Sequence, residues 1–330
     1  MQDNHQFASK SRWRRWSLAL RLAIAGGLLA FLLSGVDYGK MDEVVRQARP
    51  LWLASAFFLL FAIRLLMGLR WYVVLKAYGI AVNLSEVLDV FFTSMFFGQM
   101  LPGLLGGDLV RGYRLMKSHG HKKNIAASLL FDRLLGVSMV LVFAFAGIVW
   151  AGPFDKPWGV PAFAIVSAGA MALFVGWCFS QKLIPVLQSF QSIRRSKAAK
   201  LYNKLLELAI VLADTGKLKR VFPAVLMLSA VVMVFRSLVF YSLFHAFGAD
   251  VELLTCLALI PLVFLVLMIP VTIGGLGVRE VALVVFFSSV TNEISVSVGL
   301  AFYVLLLLIS IPGAVICVVA RPPPKEELSG

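Results

Sequence analysis

Charge is what this sequence has least of: Asp, Glu, Lys and Arg make up 15% of its 330 residues, while 60% are hydrophobic. So few polar residues could not cover the core of a soluble domain of this length, and that class is excluded. Histidine occurs four times, as His5, His119, His121 and His245, with no pair at metal-ligand spacing; all four sit near loops, where solvation is expected. The three cysteines, Cys178, Cys256 and Cys317, lie inside apolar segments, fit no metal or redox motif and read as small buried hydrophobes. There is no Gly-rich phosphate loop, no G-x-S-x-G elbow and no D-x-D pair, and no cofactor is implied. The alternation of a β-barrel is missing as well.

What is present is apolar length, with a mean hydropathy of +0.89. Runs at 17–34, 51–69, 126–150, 160–179, 221–245, 253–270 and 296–320 approach the roughly 20 residues a helix needs to cross a ~30 Å hydrocarbon layer. Helices are the expected spanning form, because lipid offers no partner to free backbone groups. The net charge of +14 could suggest nucleic acid, but its placement argues against that partner. Nine basic residues fall in 181–220, five in 111–123 and four in 9–15, beside apolar segments where positive charge sets orientation.

The basic stretch Lys10-Ser-Arg-Trp-Arg-Arg15 puts residues 1–16 in the cytoplasm, and with no small-residue cleavage site after 17–34 an uncleaved first helix is expected. Residues 35–50 then read as a short amphipathic surface helix outside. The span 51–69 returns inward, ending at Arg70 and Lys76. Asn83-x-x-Glu86 has capping-box spacing and starts a new helix. That helix, within 84–111, is broken by Pro102, Gly103, Gly106 and Gly107 and meets positive charge at both ends. A re-entrant hairpin fits this pattern; two ordinary helices with a buried kink are the alternative. Similarly, 253–287 is broken at Pro270, Gly274, Gly275 and Gly277. The segment 181–220 is a basic cytoplasmic loop, and 321–330 is a cytoplasmic tail.

The two broken segments resemble each other. Met100-Leu-Pro-Gly-Leu-Leu-Gly-Gly-Asp-Leu-Val-Arg111 aligns without gaps on Met268-Ile-Pro-Val-Thr-Ile-Gly-Gly-Leu-Gly-Val-Arg279, sharing Met, Pro, both glycines, Val and Arg. Upstream, Tyr72 and Gly79 repeat the spacing of Tyr241 and Gly248. The expected fold is an all-α polytopic membrane protein. It has about six full transmembrane helices and two broken hairpins arranged as an inverted repeat, with copies near 51–150 and 221–320 in one domain, 17–320. Transporters of such construction hold substrate near the midplane, at interrupted helices. Half-helix starts expose N–H groups that suit an anion such as lipid phosphate.

Ionisable residues at membrane depth cost roughly 2.5–3.5 kcal/mol each on insertion scales, so each asks for a reason. The candidates are Arg64, Asp108, Arg111, Asp132, Arg133, Arg236, Arg279 and Glu280. Arg64, Arg111, Arg236 and Arg279 are the expected headgroup contacts, Arg111 and Arg279 from the first turns of the second arms. Asp108 and Glu280 would hold arginines in place, with Asp132 and Arg133 supporting; Pro102, Gly106, Gly107, Pro270, Gly274 and Gly275 are the gating positions. A purely structural role, with Arg111 and Arg133 snorkelling to the interface, is the competing account.

The stretches Gly106-Gly107-Asp108-x-x-Arg111, Asp132-Arg133-x-x-Gly136 and Pro270-x-x-x-Gly274-Gly275-x-Gly277-x-Arg279-Glu280 resemble the transmembrane flippase domain of lysylphosphatidylglycerol synthase and its stand-alone relatives, over about residues 17–320. Full-length synthases of that family make an aminoacylated phospholipid with a soluble C-terminal transferase and flip it with the membrane domain. The resemblance implies the translocating half alone, with a membrane phospholipid or a polyprenyl or glycosylated lipid as its ligand. Two other functions stay open. One is an integral membrane transferase using Asp108, Asp132 or Glu280 as base; the other is a scaffold recruiting a lipid-modifying enzyme through 181–220.

Overall fold

Helices that must cross lipid are fixed by length and apolarity, and a computed structural model of the chain shows where they begin and end. It describes residues 37–100, 106–152, 220–268 and 274–319, together with 27, 159, 161–166, 168, 169, 218 and 272. Most of the expected spans 17–34 and 160–179, most of the segment 181–220, and both Pro102 and Pro270 lie outside the described residues.

The described residues are helical, with no strand among them. Helix α1 (Tyr38–Arg46) is the amphipathic surface element. Asp37 caps it, accepting from the Gly39 and Lys40 amides at 2.9 and 3.3 Å, and an Asp42–Arg46 pair lies on its exposed face. Helix α2 (Pro50–Ala77) starts on a proline, whose missing N–H costs nothing at a first turn. The first broken segment supplies α3 (Leu84–Met100) and α4 (Gly106–His119), followed by α5 (Lys122–Ala151). The second half repeats the order as α6 (Phe222–Ala246), α7 (Leu253–Leu267), α8 (Val278–Phe286) and α9 (Asn292–Val319). Four of these, α2, α5, α6 and α9, are long and apolar enough to cross a membrane. Helix α2 runs two turns past the boundary expected at residue 69, which carries Arg70 into the interior.

The repeated Tyr–Gly spacing has a physical cause. Gly79 (φ 75°) and Gly248 (φ 81°) end α2 and α6 in the left-handed conformation. In both places the next amide reaches back five residues, Ile80 N to Leu75 O at 3.1 Å and Ala249 N to Phe244 O at 2.9 Å. This is the same Schellman closure used twice.

Contacts between helix ends sort them into two groups. At one end, Asn124 Nδ2 donates to Tyr78 O at 3.0 Å, His119 Nε2 lies 2.8 Å from Glu86 Oε1, and Leu218 and Val225 pack with Leu75 and Tyr78. At the other end, Arg49 N donates to Ala246 O at 2.9 Å, Phe244 lies against Phe287 with centroids 4.6 Å apart, and Asp37 N reaches Glu293 Oε1 at 3.5 Å. Helices α2 and α6 therefore run antiparallel. The pair α3–α4 starts and finishes at the first end, and α7–α8 at the second.

The halves exchange partners: α3 packs on α9, and α7 packs on α5. Each exchange is closed by a glycine. A Cβ on Gly147 of α5 would collide with the Ala258 backbone of α7, and one on Gly313 of α9 would collide with the Phe92 backbone of α3. The same sequence separation relates Gly147 to Gly313 and Phe92 to Ala258. The larger apolar core, with Phe240 stacked on Phe302 at 4.7 Å, sits where α6, α7 and α9 meet.

Candidate functional site

Deep in the bundle, the broken hairpins bring the buried charges together. Asp132 on α5 accepts from Arg70 Nε at 2.7 Å, and Arg70 also donates to Ser229 Oγ at 3.0 Å and to the Asp132 carbonyl at 3.4 Å. The other oxygen of Asp132 meets Arg111 Nη2 at 3.3 Å. That amino group also lies 3.1 Å from Asp108 Oδ1, while Arg133 pairs with Asp108 Oδ2. Three guanidiniums thus share two carboxylates. Arg111 lies over the Trp71 ring at 4.8 Å, and Trp71 Nε1 donates to Ser128 Oγ at 3.2 Å. Arg111, in the second turn of α4 rather than the first, is buried at 4% exposure and does not snorkel.

The remaining arginines are held differently. Arg279, 3% exposed, donates to the carbonyls of Gly274 at 2.8 Å and Gly299 at 3.4 Å and lies 4.8 Å above the Phe302 ring. Arg236 lies 4.7 Å above Phe264, whose ring meets Phe302 edge-on. Arg64 touches Met67 Sδ at 3.9 Å. Among the described residues no carboxylate is within ion-pairing distance of Arg64, Arg236 or Arg279. The Nε atoms of Arg64, Arg111 and Arg279 are buried without a partner. Aromatic faces and carbonyl dipoles support these cations without neutralising them. Glu280, expected to hold an arginine, caps its own helix instead: Oε2 accepts from Gly277 N at 2.6 Å, and Oε1 has no partner.

Two cavities border this cluster. The first, about 350 Å3, is walled by Arg64, Arg111 and Arg279, by Asp108, by Gly107 in the first turn of α4, and by Gly274 and Gly275 ahead of α8. The second, about 380 Å3, is walled by Arg70, Arg236, Arg133, Asp132 and Ser229, and shares Met67, Asp108 and Arg111 with the first. Of the residues singled out in the sequence, Arg64, Gly107, Asp108, Arg111, Asp132, Arg133, Arg236, Gly274, Gly275 and Arg279 line one cavity or both; Gly106 starts α4 beside them. Glu280 lines neither. Arg70 was missed, because a charge after an apolar run reads as the end of a span. His119 and His245, expected to be solvated, pair with Glu86 and, at 3.2 Å, with Asp250.

Four helices of spanning length around a cluster of buried arginines mark a polytopic helical membrane protein. The chain belongs to the family described as the lysylphosphatidylglycerol synthase TM region, whose model matches residues 18–314. It is similar to a UPF0104 membrane protein of Methanothermobacter thermautotrophicus, 26% identical over 300 residues covering 84% of this chain and 87% of the relative. A second UPF0104 membrane protein, from Pyrococcus horikoshii, is 25% identical over 258 residues, 71% of this chain and 76% of that one.

Proposed function

We propose that the protein translocates a lipid across the cytoplasmic membrane, holding its anionic headgroup in the first cavity between the two broken hairpins. The observation that carries this reading is a membrane-depth cavity lined by Arg64 and Arg279, neither of which has a carboxylate partner among the described residues. Buried charge left unmatched is expensive, and a phosphate entering between Arg64, Arg111 and Arg279 supplies the match. In this reading the two halves form an inverted repeat, since their leading helices run antiparallel and their hairpins open at opposite ends. The end bearing Lys76, Lys117, Lys122 and Lys123 faces the cytoplasm, and the end bearing Asp37, Asp250, Glu252 and Glu293 faces out. Both chain termini then lie in the cytoplasm.

A transferase reading has less support. Asp108 and Asp132, the carboxylates that line the cavities, are engaged by arginines, and Glu280, which lines neither cavity, caps its own helix. The scaffold reading depends on 181–220, most of which lies outside the described residues.

Reconstitution into vesicles containing fluorescent phosphatidylglycerol tests the proposal. The wild-type chain exchanges the label between leaflets. Arg111→Ala with Arg279→Ala abolishes exchange, and Arg64→Gln, which breaks no ion pair, slows it about tenfold or more. Exchange by these variants at the wild-type rate refutes the headgroup site.

A further inference from the structure

We infer that the two cavities together take a lipid headgroup carrying two phosphates, one seated against Arg64, Arg111 and Arg279 and the other against Arg236. This rests on the reading of the first cavity as the headgroup site and adds a second station and a ligand class to it.

The second cavity has its own unmatched cation. Arg70 is satisfied by Asp132 and Ser229, and Arg133 pairs with Asp108. Arg236 is left, stacked on Phe264 and lining a space of about 380 Å3. Phe264 lines the first cavity, so Arg236 of the second cavity stacks on a ring of the first. The wall they share is Met67, Asp108 and Arg111. Arg111 offers a buried Nε with no partner, although its Nη2 is taken by both aspartates.

Among the described residues lining the two cavities, six guanidiniums face two carboxylates, and the excess is divided between the chambers. A single phosphodiester brings one negative charge. Seated in the first cavity, it leaves Arg236 uncompensated; seated in the second, it leaves Arg64 and Arg279 so. Two linked phosphates satisfy both chambers at once. The geometry therefore selects for a diphosphate-linked lipid or a lipid of two phosphodiesters.

Native mass spectrometry of the full chain, titrated with phosphatidylglycerol, bisphosphatidylglycerol and a polyprenyl diphosphate, provides the test. At least one of the two-phosphate lipids binds about tenfold or more tightly than phosphatidylglycerol, and which of them does identifies the linkage. In Arg236→Gln that ratio falls toward one; Arg236→Lys restores part of it, and Arg46→Gln on the exposed α1 leaves it at the wild-type value. Equal binding of all three lipids, or an Arg236→Gln variant that weakens all three alike, overturns the second station. If phosphatidylglycerol binding depends on Arg111 and Arg279 while no preference is seen, only this inference fails. If no lipid binds, the headgroup site fails with it.

Discussion

Asp132→Leu removes a carboxylate that holds two buried guanidiniums at once, Arg70 at 2.7 Å and Arg111 at 3.3 Å, with all three side chains at most 5% exposed. Breaking a buried ion pair from one side costs about 3–5 kcal/mol, because the surviving charge stays buried. Here two cations survive, which places Asp132→Leu near the top of that range. Arg70→Met is milder: Asp132 keeps Arg111, and Ser229 keeps its bond to the Val225 carbonyl at 2.8 Å. Its expected cost is about 1–3 kcal/mol. In the double variant Arg111 still has Asp108, so adding Arg70→Met to Asp132→Leu should recover about 1–2 kcal/mol rather than lose more. Thermal unfolding of the purified chain in detergent, followed by size exclusion, reads the cycle. At roughly 2–3 °C per kcal/mol, Asp132→Leu lowers the midpoint by roughly 10 °C, and the double variant sits above it. An Asp132→Leu midpoint within about 2 °C of wild type, or two single effects that simply add, would show that the cluster is not a buried charge network.

Two further outcomes follow from the packing. Gly147→Ala and Gly313→Ala each force a methyl into the backbone of the opposing hairpin arm, and each should cost about 1–3 kcal/mol in the same unfolding assay; a neutral result at both would mean the halves do not interlock there. With Cys178, Cys256 and Cys317 replaced by Ser, a probe at Ser118→Cys should label only from the cytoplasm and one at Thr291→Cys only from outside. Labelling of both from one compartment contradicts hairpins that open at opposite ends.

The long helices were legible in the amino-acid pattern because a bilayer demands continuous apolar length: the run at 221–245 became Phe222–Ala246. The second break was legible at its glycines, since Gly274, Gly275 and Gly277 all take positive φ before α8 begins, whereas Gly106 and Gly107 form the first turn of α4. Partner choice was not legible. Nothing near Arg70 in the chain announces Asp132, which reaches it only because α5 crosses α2. The Phe264–Phe302 platform was equally hidden, because in a chain with 12% aromatic residues a ring beneath a guanidinium looks like any ring facing lipid. Glu280 misled for an instructive reason. Adjacent residues on a helix face different ways, so Glu280 was expected to hold an arginine elsewhere in the bundle, but its nearer opportunity was the free amide at its own helix start.

The glycine contacts at Gly147 and Gly313 bear on how such a molecule could move. Each hairpin's leading arm is keyed into the closing helix of the opposite half, like two hooks clasped together. If one hairpin slides toward its own opening, it pulls on the helix bounding the other, so the two mouths cannot move independently. In the proposed transport role, this clasp would couple the movement of one hairpin to that of the other.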